Sequence, residues 1–249
     1  MTPQIRAVLF DKDGTLFDFQ ATWADVAVAV ISTLSEDPGQ RAELARVAGF
    51  DMGSRRFQPG APLVAASTEE IAELWAACLP NWTARQITDL ADRTAIEAAG
   101  MGALRPAARD LPGLLDRLRA YGLKLGVATH DTEASARHQL EVVGVLEAFD
   151  FLAGYDTGFG LKPSPGMLHG FAESLAILPE EVAMVGDSVG DLAMVPNGGG
   201  GMAIGVLTGP AERVDLEPHA DAVLDSIEDL ERFLLVRGVI QPLNGSTGV

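Results

Sequence analysis

Residues Leu9–Phe19 read "LFDKDGTLFDF". Asp11 and Asp13 stand one residue apart, with Lys12 between them and Gly14 and Thr15 directly after. The pair leaves an apolar run, "AVLF" at Ala7–Phe10, and turns at a glycine. A continuous apolar run of this length suits a strand buried on both faces. In an open parallel sheet, ligands bind outside the carboxyl ends of such strands. What the other strands deliver to that edge therefore decides the reading.

Similar short runs recur along the chain. They are "LKLGVAT" (Leu123–Thr129), "FDFLAG" (Phe149–Gly154), "VAMVGD" (Val182–Asp187), "MAIGV" (Met202–Val206) and "DAVL" (Asp221–Leu224). Helical segments separate most of them. "LPGLLDRLRAYG" has Pro112 near its start and Gly122 at its end, the usual asymmetry of helix termini. "SPGMLHGFAESLAI" places Ser164 as N-cap and Pro165 in the first turn. "SIEDLERFLLVRG" has Ser226 and Asp229 at capping-box spacing and closes at Gly238. Strands alternating with helices indicate an α/β fold with a parallel sheet.

One stretch breaks the alternation. From about Phe19 to Pro106 the sequence predicts helices and no strand: "TWADVAVAVISTLS", "PGQRAELARVAGF", "STEEIAELWAACL" and "TARQITDLADRTAIEAAG". Ser67 and Glu70 form a further capping signature. The link "FDMGSRRFQPGAP" carries Arg55, Arg56 and Phe57. The tail "QPLNGSTGV" is expected to be disordered.

At the carboxyl ends of the predicted strands come Asp11, Asp13, Gly14 and Thr15; then Thr129 and His130; then Lys162 in "GLKPSPG"; then Gly186, Asp187, Ser188 and Asp191. Taken singly, each has an ordinary structural reading. A lone Asp is a turn former or helix cap, Thr129 can cap the helix after it, and Lys162 can be a solvated loop residue. Together they give carboxylates, a hydroxyl and an ammonium from separate loops. Carboxylates in one place repel unless a cation lies among them. Mg²⁺ takes oxygen ligands, typically one or two carboxylates plus phosphate oxygens. Gly14 lets the backbone turn its N–H groups inward as an anion nest. Thr129 at a helix start and the Lys162 charge add further anion contacts. The set suits a phosphoryl group held beside a divalent cation.

These motifs resemble the haloacid dehalogenase (HAD) superfamily, in its phosphoglycolate-phosphatase-like branch. The four motifs stand in order as "DKDGTLFD", "GVATH", "LKPSP" and "VGDSVGDL", over roughly residues 5 to 210. The resemblance implies a Rossmann-like parallel sheet core with an inserted α-helical cap. Residues 1–18 and 107–238 would form the core, 19–106 the cap and 239–249 a flexible tail. It implies Asp11 as the nucleophile that forms an aspartyl-phosphate, and Asp13 as the acid and then base. Asp11, the backbone carbonyl of Asp13, and Asp187 would bind Mg²⁺. Gly14, Thr15, Thr129, His130 and Lys162 would hold phosphate, with Asp191 behind the metal and the lysine. Two positions depart from the branch. Lys12 replaces an apolar residue and is expected to point away from the pocket with little effect. His130 stands where asparagine is usual.

Asp13 decides among reactions. A halide leaves unprotonated, so a second aspartate favours phosphoester hydrolysis over dehalogenation. The leading reading is a Mg²⁺-dependent phosphatase of a small phosphorylated metabolite, such as phosphoglycolate or a sugar phosphate. A sugar phosphomutase and a non-catalytic phosphate-binding or regulatory protein are the alternatives. Arg55 and Arg56 are candidates for a substrate carboxylate, against a solvated loop. Formal net charge is −17, which argues against nucleic-acid binding. No apolar run approaches a membrane span. A single cysteine, Cys78, and no signal-peptide layout lead to a cytoplasmic expectation. Oligomeric state is left open.

Overall fold

β1 (Ala7–Phe10) lies at the middle of a six-stranded sheet and is buried on both faces. The computed structural model describes residues 4–58 and 60–241. The chain next forms α1 (Phe19–Leu34), α2 (Pro38–Ala48), β2 (Phe50–Asp51), β3 (Arg56–Phe57), α3 (Pro62–Ala65), α4 (Thr68–Cys78) and α5 (Ala84–Gly100). It returns through α6 (Leu111–Ala120), β4 (Lys124–Ala128), α7 (Glu133–Val142), β5 (Phe151–Ala153) and α8 (Gly166–Ser174). It ends with β6 (Val182–Gly186), α9 (Val189–Gly198), β7 (Met202–Val206), α10 (Arg213–Leu216), β8 (Ala222–Leu224) and α11 (Leu230–Val236).

The sheet order is β5-β4-β1-β6-β7-β8 and every pairing is parallel. Val8 and Phe10 pack on one face with Leu114 and Leu118 of α6 and Leu230 of α11. Ala7 and Leu9 pack on the other with Leu168 and Phe171 of α8. Burying side chains of this size stabilises by about 1.5–3 kcal/mol each. Both faces being covered by helices explains the unbroken apolar runs. Chain order reverses at β1, so a crevice opens there between the loops after β4 and β6.

The helical insert has an apolar core of its own, including Val30, Ile31, Leu44, Ile71, Trp75 and Ile87. Its helix starts follow the sequence closely. Ser67 and Glu70 form a full capping box at α4, and Thr83 and Gln86 form another at α5. One expectation fails here. The link between α2 and α3 contains a short antiparallel hairpin, with Phe50 opposite Phe57 and Asp51 opposite Arg56. Asp51 Oδ1 accepts from the N–H groups of Gly53 and Ser54 at 2.9 and 2.7 Å. The Phe50 and Phe57 rings close the base with centroids 4.8 Å apart.

Other local expectations are corrected too. The helix expected to begin at Ser164 starts at Gly166, with Pro165 at the cap position and no side-chain cap. Ser226 caps a short 3-10 turn through the N–H of Glu228, so its box with Asp229 does not form. The cap of α7 is Thr132, three residues beyond Thr129. In the expected tail, Ile240 is buried against the sheet core; residues 242–249 lie outside the described residues. Among the described residues, no helix is long and apolar enough to cross a membrane.

The insert rests on the core where α5 packs against α7. Asp92 of α5 lies in that contact, with its Oδ1 buried and without a hydrogen-bond partner among the described residues. Burial, reinforced by the like charge of Asp131, pushes its carboxyl up to about 7, against a hydrogen bond from Thr132. A carboxyl with a raised folded pKa binds a proton on folding, so stability falls as pH rises from about 4 through about 7. Asp92→Asn is expected to raise the melting temperature at about pH 8. Near pH 4 that gain should almost vanish, and thermal melts at the two pH values check it.

Candidate active site

Four loops converge on the crevice at β1. Asp11 follows β1, and its N–H donates to the Val185 carbonyl of β6 at 2.8 Å. Asp187 follows β6, and Asp191 lies in the first turn of α9. Thr129 and His130 follow β4. Lys162 comes from the loop before α8. Asp11, Thr129, Lys162, Asp187 and Asp191 are all buried. With Asp13 and His130 they line one cavity.

Lys162 organises the acids. Its Nζ lies 2.5 Å from Asp11 Oδ1 and 2.6 Å from Asp191 Oδ1. Burial would lower this ammonium, but the two carboxylates push it above its ordinary value. The other oxygen of Asp191 accepts from the N–H and hydroxyl of Ser188. His130 takes a role the sequence did not show: its Nε2 accepts the backbone N–H of Lys162 at 3.0 Å. That nitrogen is therefore unprotonated, and the ring holds the lysine loop in place.

Asp187 sits against two glycines. A Cβ at Gly14 or at Gly209 would collide with its carboxylate. Gly14 also has φ +94°, a conformation that favours glycine. The Gly14 N–H donates to the Phe17 carbonyl at 2.7 Å. That N–H is spent on the turn rather than turned toward an anion as expected. Thr15 is fully buried, its hydroxyl has no partner among the described residues, and neither it nor Gly14 lines the cavity.

The donor set fits a hard divalent cation. Asp11, Asp187 and Asp191 each bring one carboxylate oxygen within 4.8 Å of the others. Burial pushes the Asp11 carboxyl up to about 7 while Lys162 opposes it. Asp187 is raised well above its ordinary value by burial and then by Asp11 and Asp191. One ammonium is too little positive charge for three buried carboxylates. Oxygen-only ligands in this setting suit Mg²⁺.

Lys12 differs most from expectation. It stays out of the cavity lining, but its side chain is fully buried and turns back onto Asp13. Its Nζ also lies 2.6 Å from Gln139 Oε1 and 3.3 Å from Asp131 Oδ2. Burial would lower this ammonium, but Asp13 and then Asp131 raise it. Burial raises the Asp131 carboxyl, with Lys12 opposing. The other oxygen of Asp13, Oδ1, is buried without a partner among the described residues. Sequence reasoning missed Asp131 and Gln139. The available signal was Lys12 itself, since a lysine at a buried strand end requires countercharge.

Arg55 and Arg56 do not line the cavity. Both are exposed, at the tip of the β2–β3 hairpin and in β3. The Arg55 guanidinium pairs with Asp25.

The family model for haloacid dehalogenase-like hydrolases matches residues 5–199. The chain belongs to this family. A phosphoglycolate phosphatase of Chromobacterium violaceum is 33% identical over 230 residues, covering 91% of this chain and 95% of the relative. One from Cereibacter sphaeroides is 30% identical over 233 residues, covering 92% and 98%. CbbY from Rhodobacter sphaeroides, solved with phosphate, has a TM-score of 0.70 at 20% identity and covers 91% and 96%. That likeness shows the shared fold.

This haloacid dehalogenase-like hydrolase carries a second ion cluster beside its first, centred on the buried Lys12. Lys12→Met would leave Asp13 and Asp131 buried without their cation. Removing one partner of a buried pair costs about 3–5 kcal/mol. A loss of that size is expected in urea unfolding of Lys12→Met. Lys12→Met/Asp131→Asn should recover part of it.

Proposed function

We propose that the protein is a Mg²⁺-dependent phosphatase that hydrolyses a phosphomonoester through an aspartyl-phosphate on Asp11. The observation that carries this reading is the pairing of two carboxylates with different surroundings. Asp11 is held by Lys162 beside Asp187, whereas Asp13 is held by Lys12 and keeps one oxygen without a partner among the described residues. The phosphatase names of the relatives support the same reaction class.

Asp11, the backbone carbonyl of Asp13, and Asp187 would hold the cation. When bound, Mg²⁺ neutralises charge on the acids and on the phosphoryl oxygens. Lys162 and Thr129 orient the phosphoryl group, the first as a point charge and the second as a hydroxyl. His130 keeps the Lys162 loop at its place. Asp11 Oδ attacks phosphorus in line with the leaving alkoxide, so the ester P–O bond breaks as the aspartyl P–O bond forms. Asp13 Oδ1 gives its proton to the departing oxygen. The same carboxylate then takes a proton from water, which hydrolyses the acyl phosphate and frees Asp11. Asp191 keeps Lys162 oriented throughout.

Asp11→Asn removes the only nucleophile this scheme contains. Phosphomonoesters hydrolyse so slowly unaided that enzymes gain up to ~10²¹-fold. The variant is therefore expected to fall to background in a phosphate-release assay while its circular dichroism stays that of the parent. Residual turnover above a few per cent in a clean preparation would refute the assignment. Chelation provides an independent check. Excess EDTA is expected to abolish phosphate release and added Mg²⁺ to restore it. Ca²⁺ is expected to inhibit, because its looser coordination lets Asp11 bind with both oxygens. Full activity in EDTA, with no metal by elemental analysis, would contradict the cation's role.

A further inference from the structure

The cavity does not end at the acids. It has a volume of about 590 Å³ and continues from Asp11 and Asp13 into the helical insert, between α1, α3, α4 and α5. Val30, Leu63, Ile71, Trp75 and Ile87 are among the side chains that line this arm. Trp75 offers it no donor, since its indole N–H is bonded to the Leu44 carbonyl at 2.9 Å. Among the described residues, Lys162 is the only lysine or arginine along the whole cavity, and Asp11 and Asp191 engage it. Arg55 and Arg56 lie elsewhere, as described above.

Phosphoglycolate would fit this arm poorly. Its leaving group carries a carboxylate, and a buried charge without a partner is strongly disfavoured. It is also small, while cavities of ~300–1,000 Å³ suit ligands several times larger. A sugar would bring hydroxyls that the arm's apolar side chains cannot satisfy. An apolar leaving group meets neither penalty and gains from leaving water.

We propose that the substrate is a phosphomonoester of an uncharged apolar alcohol, whose alkyl, prenyl or aryl part occupies the arm inside the insert. This substrate class rests on the phosphatase reading above. The phosphoryl end stays at Asp11 and Lys162. The chemistry of the bond cleaved is unchanged; only the alcohol released differs.

The test uses the whole chain with Mg²⁺ and n-alkyl phosphates from ethyl to octyl, with phosphoglycolate alongside. Burying one methylene shifts binding roughly three- to fourfold. kcat/KM is therefore expected to rise about that much per added methylene, and hexyl phosphate to exceed phosphoglycolate. In parallel, the n-alkyl phosphonates, which cannot be hydrolysed, are titrated against intrinsic tryptophan fluorescence, since Trp23 and Trp75 line the arm. Their Kd should fall by the same factor per methylene. Ala72 also lines the arm, and Ala72→Phe is expected to cut the octyl-to-ethyl ratio in both series at least tenfold. Should that variant not fold, the phosphonate series on the unaltered protein still decides. A flat chain-length profile, or preference for phosphoglycolate over hexyl phosphate, would overturn the substrate class while leaving the phosphatase intact. Chain-length-dependent phosphonate binding without phosphate release from any ester would instead uphold the apolar arm and refute the phosphatase reading.

Discussion

The Lys162 ammonium, wedged between Asp11 and Asp191, is the contact on which the carboxyl edge of the sheet depends. Asp11, Asp187 and Asp191 come from two different loops and are buried side by side. Without a cation they would repel in a medium where charge is poorly screened. Lys162 offsets one of those charges, and the raised carboxyls of Asp11 and Asp187 mark the charge that is left over. The rest of the edge is shaped by this excess. Gly14 and Gly209 leave room for the Asp187 carboxylate where any side chain would strike it. His130 ties the backbone of the Lys162 loop to the loop after β4. A site built this way holds more buried negative charge than its own ammonium offsets.

The two ends of the cavity obey different physics. The core end is polar and crowded with charge, and loops from several strands contribute to it. The insert end is lined by side chains from one helical unit that packs on its own apolar core. The first end offers buried carboxylates, an ammonium and a hydroxyl. The second offers apolar surface, which favours groups that gain from leaving water. Because β1 feeds directly into α1, the loop bearing Asp11 and Asp13 joins the two ends by a handful of residues. The net charge of −17 thus need not oppose an anionic substrate, since the field in the crevice is set locally by Lys162 and the groups beside it rather than by the distant surface.

Much of this was legible in the sequence, for reasons that also explain what was not. Strands buried on both faces write themselves as unbroken apolar runs, so each strand of the parallel sheet could be read within a residue or two. The capping box at Ser67 could be read because it is local, with both partners on one turn. Ser164 and Ser226 show the limit of that rule. Pro165 occupies the cap position of α8, and the chain after Ser226 tightens into a 3-10 turn, so the right residue types stand at the wrong backbone conformation. The β2–β3 hairpin was illegible because two-residue strands carry no periodicity; its register comes from Asp51 bonding its own turn and from two phenylalanines meeting across it. The motif residues were legible as a set because their chemistry makes sense only together. The apolar arm was not, since the same Val, Ile and Trp positions serve equally to fill a helical core or to line a space within it.

Lys12 shows how a residue between two functional ones acquires a task of its own. In an extended chain, neighbours of Asp11 and Asp13 would point to the opposite face. Past Phe10, however, the strand has ended and the chain curls so that the carbonyl of Lys12 accepts from both Leu16 and Phe17. The lysine is then fully buried, with its ammonium 6.0 and 5.5 Å from the ring centroids of Phe17 and Trp23. Its ammonium bridges Asp13 to Asp131 and Gln139, which belong to the segment running from β4 into α7. Thr132, beside Asp131, also bonds Asp92 of the insert. One continuous chain of contacts therefore runs from the insert, through α7, to the Asp13 carboxylate. An apolar residue at position 12 could fill the space but could not supply the charge that holds Asp13 and Asp131 together.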